Sequence, residues 1–505
     1  MAPTPDEERT KAAIISAIHG VVQGMDGILS ATITGSFAHG QGLDGISDID
    51  LVVIVEPLDE GRFKKLKERL SEVVGAAVAA QGLALRINAT LGPLKFNAPG
   101  TAVLHLMPYS PEGHRDHAIL SPFTCFDWQR SPTLAGSSLA AIYPVFSLQP
   151  RHFFGSRRSA SDYLRDLDRG VISFRSLSFA DGGPAEIPAE KAMDGRDRHE
   201  FGYHVMRFLM QNLVKLVAKG NEALDGEVLI DRFFSSFPDG KETFAAWYRQ
   251  LATMKRSGDF TPGMVDLDNR VRAFVNAFER QFRREFSEKA RRHTWFRHAP
   301  TRSNGAVGEA AVFQGAIDPP ISATSPADFE PLRLALAGQT ISRAYRSRLG
   351  RSGDSFNRLR TSVSGIPEAV TDPRLDEIRY GACEGLTVSE ARAAHPGLFS
   401  AWARGDDPPF PGGGERMADV RGRVRSFLDE CSARDDPSLV CTHNVVLRAL
   451  VGELMGVPLG QEHHLRIPHL RPFTLVATAT FGMFLDLDDP TERQLFSAFF
   501  KKPAG

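Results

Sequence analysis

The chain has 505 residues, 42% hydrophobic and 24% charged, with 60 Lys+Arg against 61 Asp+Glu. That length exceeds one ordinary core and predicts roughly two to four domains. The net charge of -1 excludes a global basic footprint for nucleic acid. Its 4 cysteines, Cys125, Cys383, Cys431 and Cys441, show no CxxC spacing, so neither a zinc site nor a disulfide framework is expected.

The opening MAPTPDEERTK is polar and acidic and lacks an apolar h-region. No apolar run reaches bilayer length. A cytoplasmic protein that does not engage a membrane is expected. Lys11 to Gly24 has helical spacing of Ile14, Ile15, Ile18, Val21 and Val22. Ala31 to Thr34 reads as a short strand, and Leu51 to Val55 as a buried one. Phe63 to Ala80 returns to a helical pattern, and Leu83 to Asn88 and Thr101 to Tyr109 read as strands. Arg198 to Val217 carries a helical stripe of Phe201, Val205, Phe208, Leu209, Leu213 and Leu216. Phe244 to Met254 and Val265 to Lys289 continue helically.

A third region opens with a short strand, Thr294 to Phe296, leading into Arg297-His298. Asp318 to Pro331 is a Ser/Pro-rich loop. Leu332 to Ala337, Ser389 to Ala394, Ala418 to Ala433 and Val445 to Met455 read as helices, and Ser438 to Thr442 as a buried strand. The expected organisation is multidomain, α/β and α+β: a mixed-sheet domain over 1–150, a helical domain over 151–290 and an α/β domain over 291–505.

Four separated fragments of the last region carry chemistry-bearing residues: FRHAPTRSN from Phe296, YRSRLGRS from Tyr345, LDEIRYGACEGLT from Leu375, and VCTHNVVLRAL from Val440, the last preceded by PGGGERMADV. In this order they resemble the histidine phosphatase (phosphoglycerate mutase-like) superfamily, whose fold is a three-layer α/β/α sandwich. The resemblance implies phosphomonoester hydrolysis through a phosphohistidine on His298. It makes Arg297, Arg351 and His443 the groups that hold the transferring oxygens, and Glu377 the proton donor. Asn304 and Asn444 join the phosphate-binding set. A phosphoryl group in transfer spreads negative charge over its oxygens, so fixed side-chain cations suit it, and no metal is expected in this domain. Three positions depart from the family pattern: Ala299 and Asn444 stand where it has Gly, and Pro300 where it has Glu. The segment before Arg351 reads Arg346-Ser347-Arg348 rather than Ser-Pro.

Near the N-terminus, Thr34-Gly35-Ser36 precedes Ser47-Asp48-Ile49-Asp50 and the run LVVIV. Residues i and i+2 of a strand share a face, so Asp48 and Asp50 can converge on cations. This pattern resembles the nucleotidyltransferase superfamily of the polymerase-β type. The resemblance implies Mg²⁺ held by Asp48 and Asp50, with Gly35 and Ser36 at the triphosphate of an NTP. His39 and Gly40 lie in the same loop, and Lys95 in a following hairpin. The family keeps a third carboxylate on a later strand. The strand Val103 to Met107 offers His105 there, while Asp116 and Asp127 lie beyond it.

The function expected is bifunctional: phosphate removal at one end, and Mg²⁺-dependent transfer from an NTP to a small-molecule acceptor at the other. Two alternatives stand beside it. One is a nucleic-acid end-processing enzyme, which the near-neutral charge does not favour. The other is a phosphatase regulated by a degenerate nucleotide-binding domain. The sequence does not speak to oligomeric state.

Overall fold

The computed structural model describes residues 5–38, 48–92, 94, 100–157, 159–180, 183–220, 222, 224–434 and 436–500. The chain divides into two units, Met1–Phe282 with Phe500–Gly505, and Arg283–Phe499. The expected segments 1–150 and 151–290 thus share one unit up to Phe282. Among the described residues, no helix is long and apolar enough to cross a membrane.

In the first unit a five-stranded sheet runs in the order Ala84–Asn88, Thr101–Tyr109, Asp48–Val55, Ile28–Thr34, Thr133–Gly136. The first three strands are mutually parallel, and Ile28–Thr34 is antiparallel to both of its neighbours. Leu51 to Val55 is fully buried, as a continuous β-branched run predicts for a central strand. The helices Pro5–Gln23 and Glu60–Ala79 contribute Ile14, Ile18, Val21, Leu66, Leu70 and Val74 to the core over this sheet. Asp59 caps the second of them, accepting from Arg62 N at 2.8 Å.

The following segment holds the helices Gly195–Ala218, Gly226–Ser236, Lys241–Ser257 and Leu267–Arg283. Asp194 and Asp197 form a reciprocal capping box at the start of the first. The segment is not helical throughout. Val171–Ser178 and Ala185–Ala192 form an antiparallel hairpin, extended by Thr90–Leu91 into a three-stranded sheet. Most hairpin positions are half-exposed, so its sequence carries no apolar stripe that would announce it. Lys215 reaches back to ion-pair with Asp127 on the helix Pro122–Trp128.

The second unit is built on a six-stranded sheet: Ala369–Thr371, Arg343–Arg346, Ser438–Thr442, Arg291–Arg297, Pro472–Thr478, Gly482–Asp486. The first four strands are parallel and the last two antiparallel to their neighbours. Side chains alternate across it. Phe296, Ala344, Leu439 and Cys441 pack with Leu332, Leu336, Phe356 and Leu359 from the helices Glu330–Leu336 and Gly350–Ser362. On the opposite face Trp295 and Tyr345 each meet Phe427 of the helix Met417–Ala433 edge-on, at 5.4 and 5.2 Å. Both faces are covered, giving the three layers expected. Three adjacent parallel strands end within one residue of a common level: Arg346 pairs with Cys441, and Thr442 with Arg297. Ser347, His443 and His298 follow them at the carboxyl edge, where open α/β sheets place their ligands.

Candidate active site

His298 leaves its strand with its backbone N–H donating to Thr442 O at 3.0 Å. Its Nδ1 lies 2.6 Å from Ala299 O. A carbonyl only accepts, so Nδ1 carries the hydrogen, and the neutral ring keeps its lone pair on Nε2. Burial, reinforced by Arg297 and Arg351, holds the imidazole pKa well below its ordinary value. The ring is therefore neutral at physiological pH, with Nε2 unprotonated. Ala299 has no positive φ, so the departure from Gly costs no backbone strain.

Two arginines stand beside it. Arg297 donates from Nη1 to Ile467 O at 2.9 Å. Burial lowers its pKa to about 10, and it still stays charged at neutral pH. Arg351 is fully buried and donates to Ile317 O at 2.7 Å, Gly315 O at 2.9 Å and Asp318 Oδ1 at 3.2 Å. Asp318 also accepts from the backbone N–H groups of Gly350 and Arg351. Arg297 Nε and Arg351 Nε are buried donors with no protein acceptor.

His443 packs against His298 with ring centroids 5.0 Å apart. Its Nε2 lies 2.6 Å from Ser347 Oγ, which accepts from Leu349 N. When Ser347 gives its own hydrogen to Nε2, His443 keeps a hydrogen on Nδ1, a buried atom with no protein partner. Burial, helped by His298 and the same arginines, keeps this ring neutral too. Glu377 Oε1 accepts from the backbone N–H groups of Ile378 and Val445, both at 3.1 Å, at the start of the helix Asn444–Met455. Asn304 Oδ1 accepts from Thr301 N at 2.8 Å, which leaves its amide nitrogen as the donor. Asn444 opens its helix half-buried, directly after His443.

Four residues that the sequence reading did not single out support this set. Asp318 and Ser347 hold Arg351 and His443. Ser355 Oγ accepts from Ala299 N at 2.8 Å and donates to Arg351 O at 2.7 Å. His469 donates from Nδ1 to His298 O at 2.6 Å. They are distant in sequence from what they hold: Asp318, Ser347 and His469 lie in or beside loops, and Ser355 is a buried serine within the helix Gly350–Ser362.

In the first unit Asp50 sits between Thr34 and His105 in the sheet register. Gly35 has φ +74°, and a Cβ there would collide with the Asp50 carboxylate, so glycine is required. His105 occupies the expected third-carboxylate position. Its Nδ1 lies 3.1 Å from Asp50 Oδ1 and its Nε2 2.5 Å from Thr90 O. Both ring nitrogens thus face acceptors, and no third oxygen ligand for Mg²⁺ comes from that strand. Asp116 and Asp127 lie on helices, paired with Arg115 and Lys215. Among the described residues no group of three His, Cys, Asp or Glu could hold a metal. The side chains of Ser36 and Asp48, and the residues His39, Gly40 and Lys95, lie outside the described residues.

Residues 295–479 match the histidine phosphatase superfamily (branch 1), and residues 15–81 match a nucleotidyltransferase domain. Phosphoserine phosphatase 1 of Hydrogenobacter thermophilus is 29% identical over 167 residues, 33% of this chain and 76% of that protein. Glucosyl-3-phosphoglycerate phosphatase of Mycolicibacterium vanbaalenii is 29% identical over 185 residues, 34% of this chain and 77% of that protein. A solved structure of a mycobacterial glucosyl-3-phosphoglycerate phosphatase complexed with VO3 is 26% identical, covering 40% of this chain and 99% of that one, with a TM-score of 0.33.

Buried neutral histidines make the second unit acid-sensitive. His293, buried beside Ser438 at 2.9 Å, has its pKa lowered to about 4 by burial. The unfolded chain takes up that proton first, near pH 6.5. Its contribution is therefore complete above that pH and is lost as pH falls toward the folded value. His293→Gln should remove up to ~2 kcal/mol of the stability loss between pH 7 and 5. Urea melts of both proteins at the two pH values measure this; an unchanged difference would refute it.

Proposed function

Because this chain carries a histidine phosphatase superfamily domain and a nucleotidyltransferase domain, we propose that its C-terminal domain hydrolyses a small phosphorylated metabolite through a phosphohistidine on His298. The observation that carries this reading is the tautomer of His298: Nδ1–H is spent on Ala299 O, so Nε2 is the free nucleophile. In the first step Nε2 attacks phosphorus, the P–O bond breaks, and the leaving oxygen takes a proton from Glu377. In the second step water attacks phosphorus and gives its proton to Glu377, and the P–N electron pair returns to Nε2. Arg297, Arg351 and the Nδ1–H of His443 donate to the equatorial oxygens, and their buried, unpartnered donors gain acceptors in doing so. Two relatives act, by name, on phosphoserine and glucosyl-3-phosphoglycerate, which supports a small phosphomonoester as substrate.

His298→Ala should abolish phosphate release from both alkyl and aryl phosphates. Glu377→Gln should slow alkyl phosphates by ~10²-fold or more and activated aryl phosphates far less, because a good leaving group needs little protonation. Steady-state kinetics on the two substrate types check this. Equal losses would assign Glu377 to binding.

For the N-terminal domain the reading is Mg²⁺-dependent transfer from an NTP to a small-molecule acceptor. Asp48 and Asp50 would hold the ion, which would supply positive charge to the phosphates of the NTP. His105 beside Asp50 favours a second reading, in which the domain binds an NTP without transferring it. Calorimetry on the full chain should show NTP binding that needs Mg²⁺ and is lost in the Asp48→Asn, Asp50→Asn double variant. Phosphate release should be unchanged by that variant and by EDTA. Absence of Mg²⁺-dependent binding for every NTP would overturn both readings of this domain. Nucleotidyl transfer to any acceptor would exclude the second.

A further inference from the structure

A third imidazole stands at the site, and neither the motifs nor the reaction above assigns it. His469 lies in the loop before the strand Pro472–Thr478. Its ring meets that of His298 edge-on, with centroids 5.4 Å apart at 66°. This loop and the nucleophile's backbone are tied three times. Arg297 Nη1 donates to Ile467 O at 2.9 Å, Leu470 N to Arg297 O at 3.1 Å, and His469 Nδ1 to His298 O at 2.6 Å. Leu470 adopts φ +53°, a left-handed conformation that L residues rarely take. It lets the main chain and the preceding side chain donate to consecutive carbonyls.

We infer that His469 is a positioning residue of this site: it fixes the main-chain carbonyl of the nucleophile's own residue, and so the direction in which His298 Nε2 is presented. The His298–Ala299 peptide is held at both ends. Its oxygen accepts from His469, and its N–H donates to Ser355 Oγ, whose own hydrogen goes to Arg351 O. Ala299 in turn supplies the carbonyl that fixes the His298 tautomer. Rotation of this peptide would therefore move the acceptor for Nδ1 and re-aim Nε2. The Ser355 side is anchored to the residue that bears a phosphate-binding guanidinium, and the His469 side is anchored only through its imidazole donor. His469 suits the task because burial lowers its pKa to about 3, so the ring stays neutral and its hydrogen stays on Nδ1 across the working pH range.

This inference rests on the phosphohistidine reading, and the test separates the two. The full chain is assayed with an aryl phosphate, reading kcat, KM and the pre-steady-state rate of phosphoenzyme formation. His469→Ala should lower kcat and the phosphorylation rate by ~10²-fold, the penalty expected for a misaimed attacking atom, with KM little changed. His469→Leu, which fills the space without a donor, should behave alike and serves if the Ala variant does not fold. His469→Asn, whose amide N–H can reach the same carbonyl, should recover most of the loss. Full activity in the Ala or Leu variant would overturn the inference while leaving His298 as nucleophile. So would an Asn variant, folded by circular dichroism, no better than Leu. If His298→Ala itself retained hydrolysis, the phosphohistidine reading would fail, and this inference with it.

Discussion

The hydrogen bond from His298 Nδ1 to the carbonyl of Ala299 is the constraint on which the C-terminal site depends. It sets which ring nitrogen keeps its lone pair, and it is made within two residues, where the parallel strand Arg291–Arg297 ends. The sheet does the rest of the placing. Because neighbouring parallel strands end within one residue of a common level, the residues that follow them converge without any long side chain having to reach. Charge is arranged around the same bond. Arg297 is held by a main-chain carbonyl, and Arg351 by two carbonyls and one carboxylate. Carbonyls satisfy buried N–H groups without neutralising them, so the Arg297 charge remains available to a phosphate dianion, while Asp318 offsets part of that of Arg351. The same charge, with burial, keeps His298 and His443 neutral.

The parts of this site legible in the sequence were those written locally. Arg297-His298 after an apolar strand and His443 between a buried strand and a helix stand at junctions that periodicity can locate, while Glu377 within LDEIRYG was marked only by that segment's resemblance to the family pattern. The four supporting residues could not be read that way. His469 is 171 positions from the carbonyl it holds, Ser347 is 96 from His443, Ser355 is 56 from Ala299, and Asp318 is 33 from Arg351. Such pairs exist only once the sheet has formed. The same limit hid the hairpin Val171–Ser178 with Ala185–Ala192. Strand pairing there depends on partners, and the one large apolar side chain of AEIPAEKA, Ile187, is exposed and marks no core face.

The N-terminal domain shows the complementary case. Gly35 and Asp50 were legible through the Gly-Ser and Asp-x-Asp pattern, while the left-handed φ of Gly35 against the Asp50 carboxylate emerged only in the fold. The occupant of the third position was also legible as His105, but its consequence was not. Only the parallel pairing of Asp48–Val55 with Thr101–Tyr109 brings that imidazole to Asp50 Oδ1, and only the turn after Asn88 places Thr90 O on its other nitrogen. A residue that faces two acceptors binds its neighbours more readily than it ligates a hard cation. The two ends of the chain therefore differ in kind: a site of neutral imidazoles among buried guanidiniums, and a carboxylate site in which an imidazole stands at the register position of the third acid.

The central claim is that phosphorus becomes bonded to one nitrogen of one residue. Rapid quenching of the full chain in alkali during turnover of a ³²P-labelled phosphomonoester, followed by peptide mapping, tests it directly. The account predicts a base-stable, acid-labile phosphoryl group on His298, attached through Nε2, that disappears on chase with unlabelled substrate. A phosphoryl group on His443 or His469, or turnover with no labelled histidine on the millisecond scale, would contradict it.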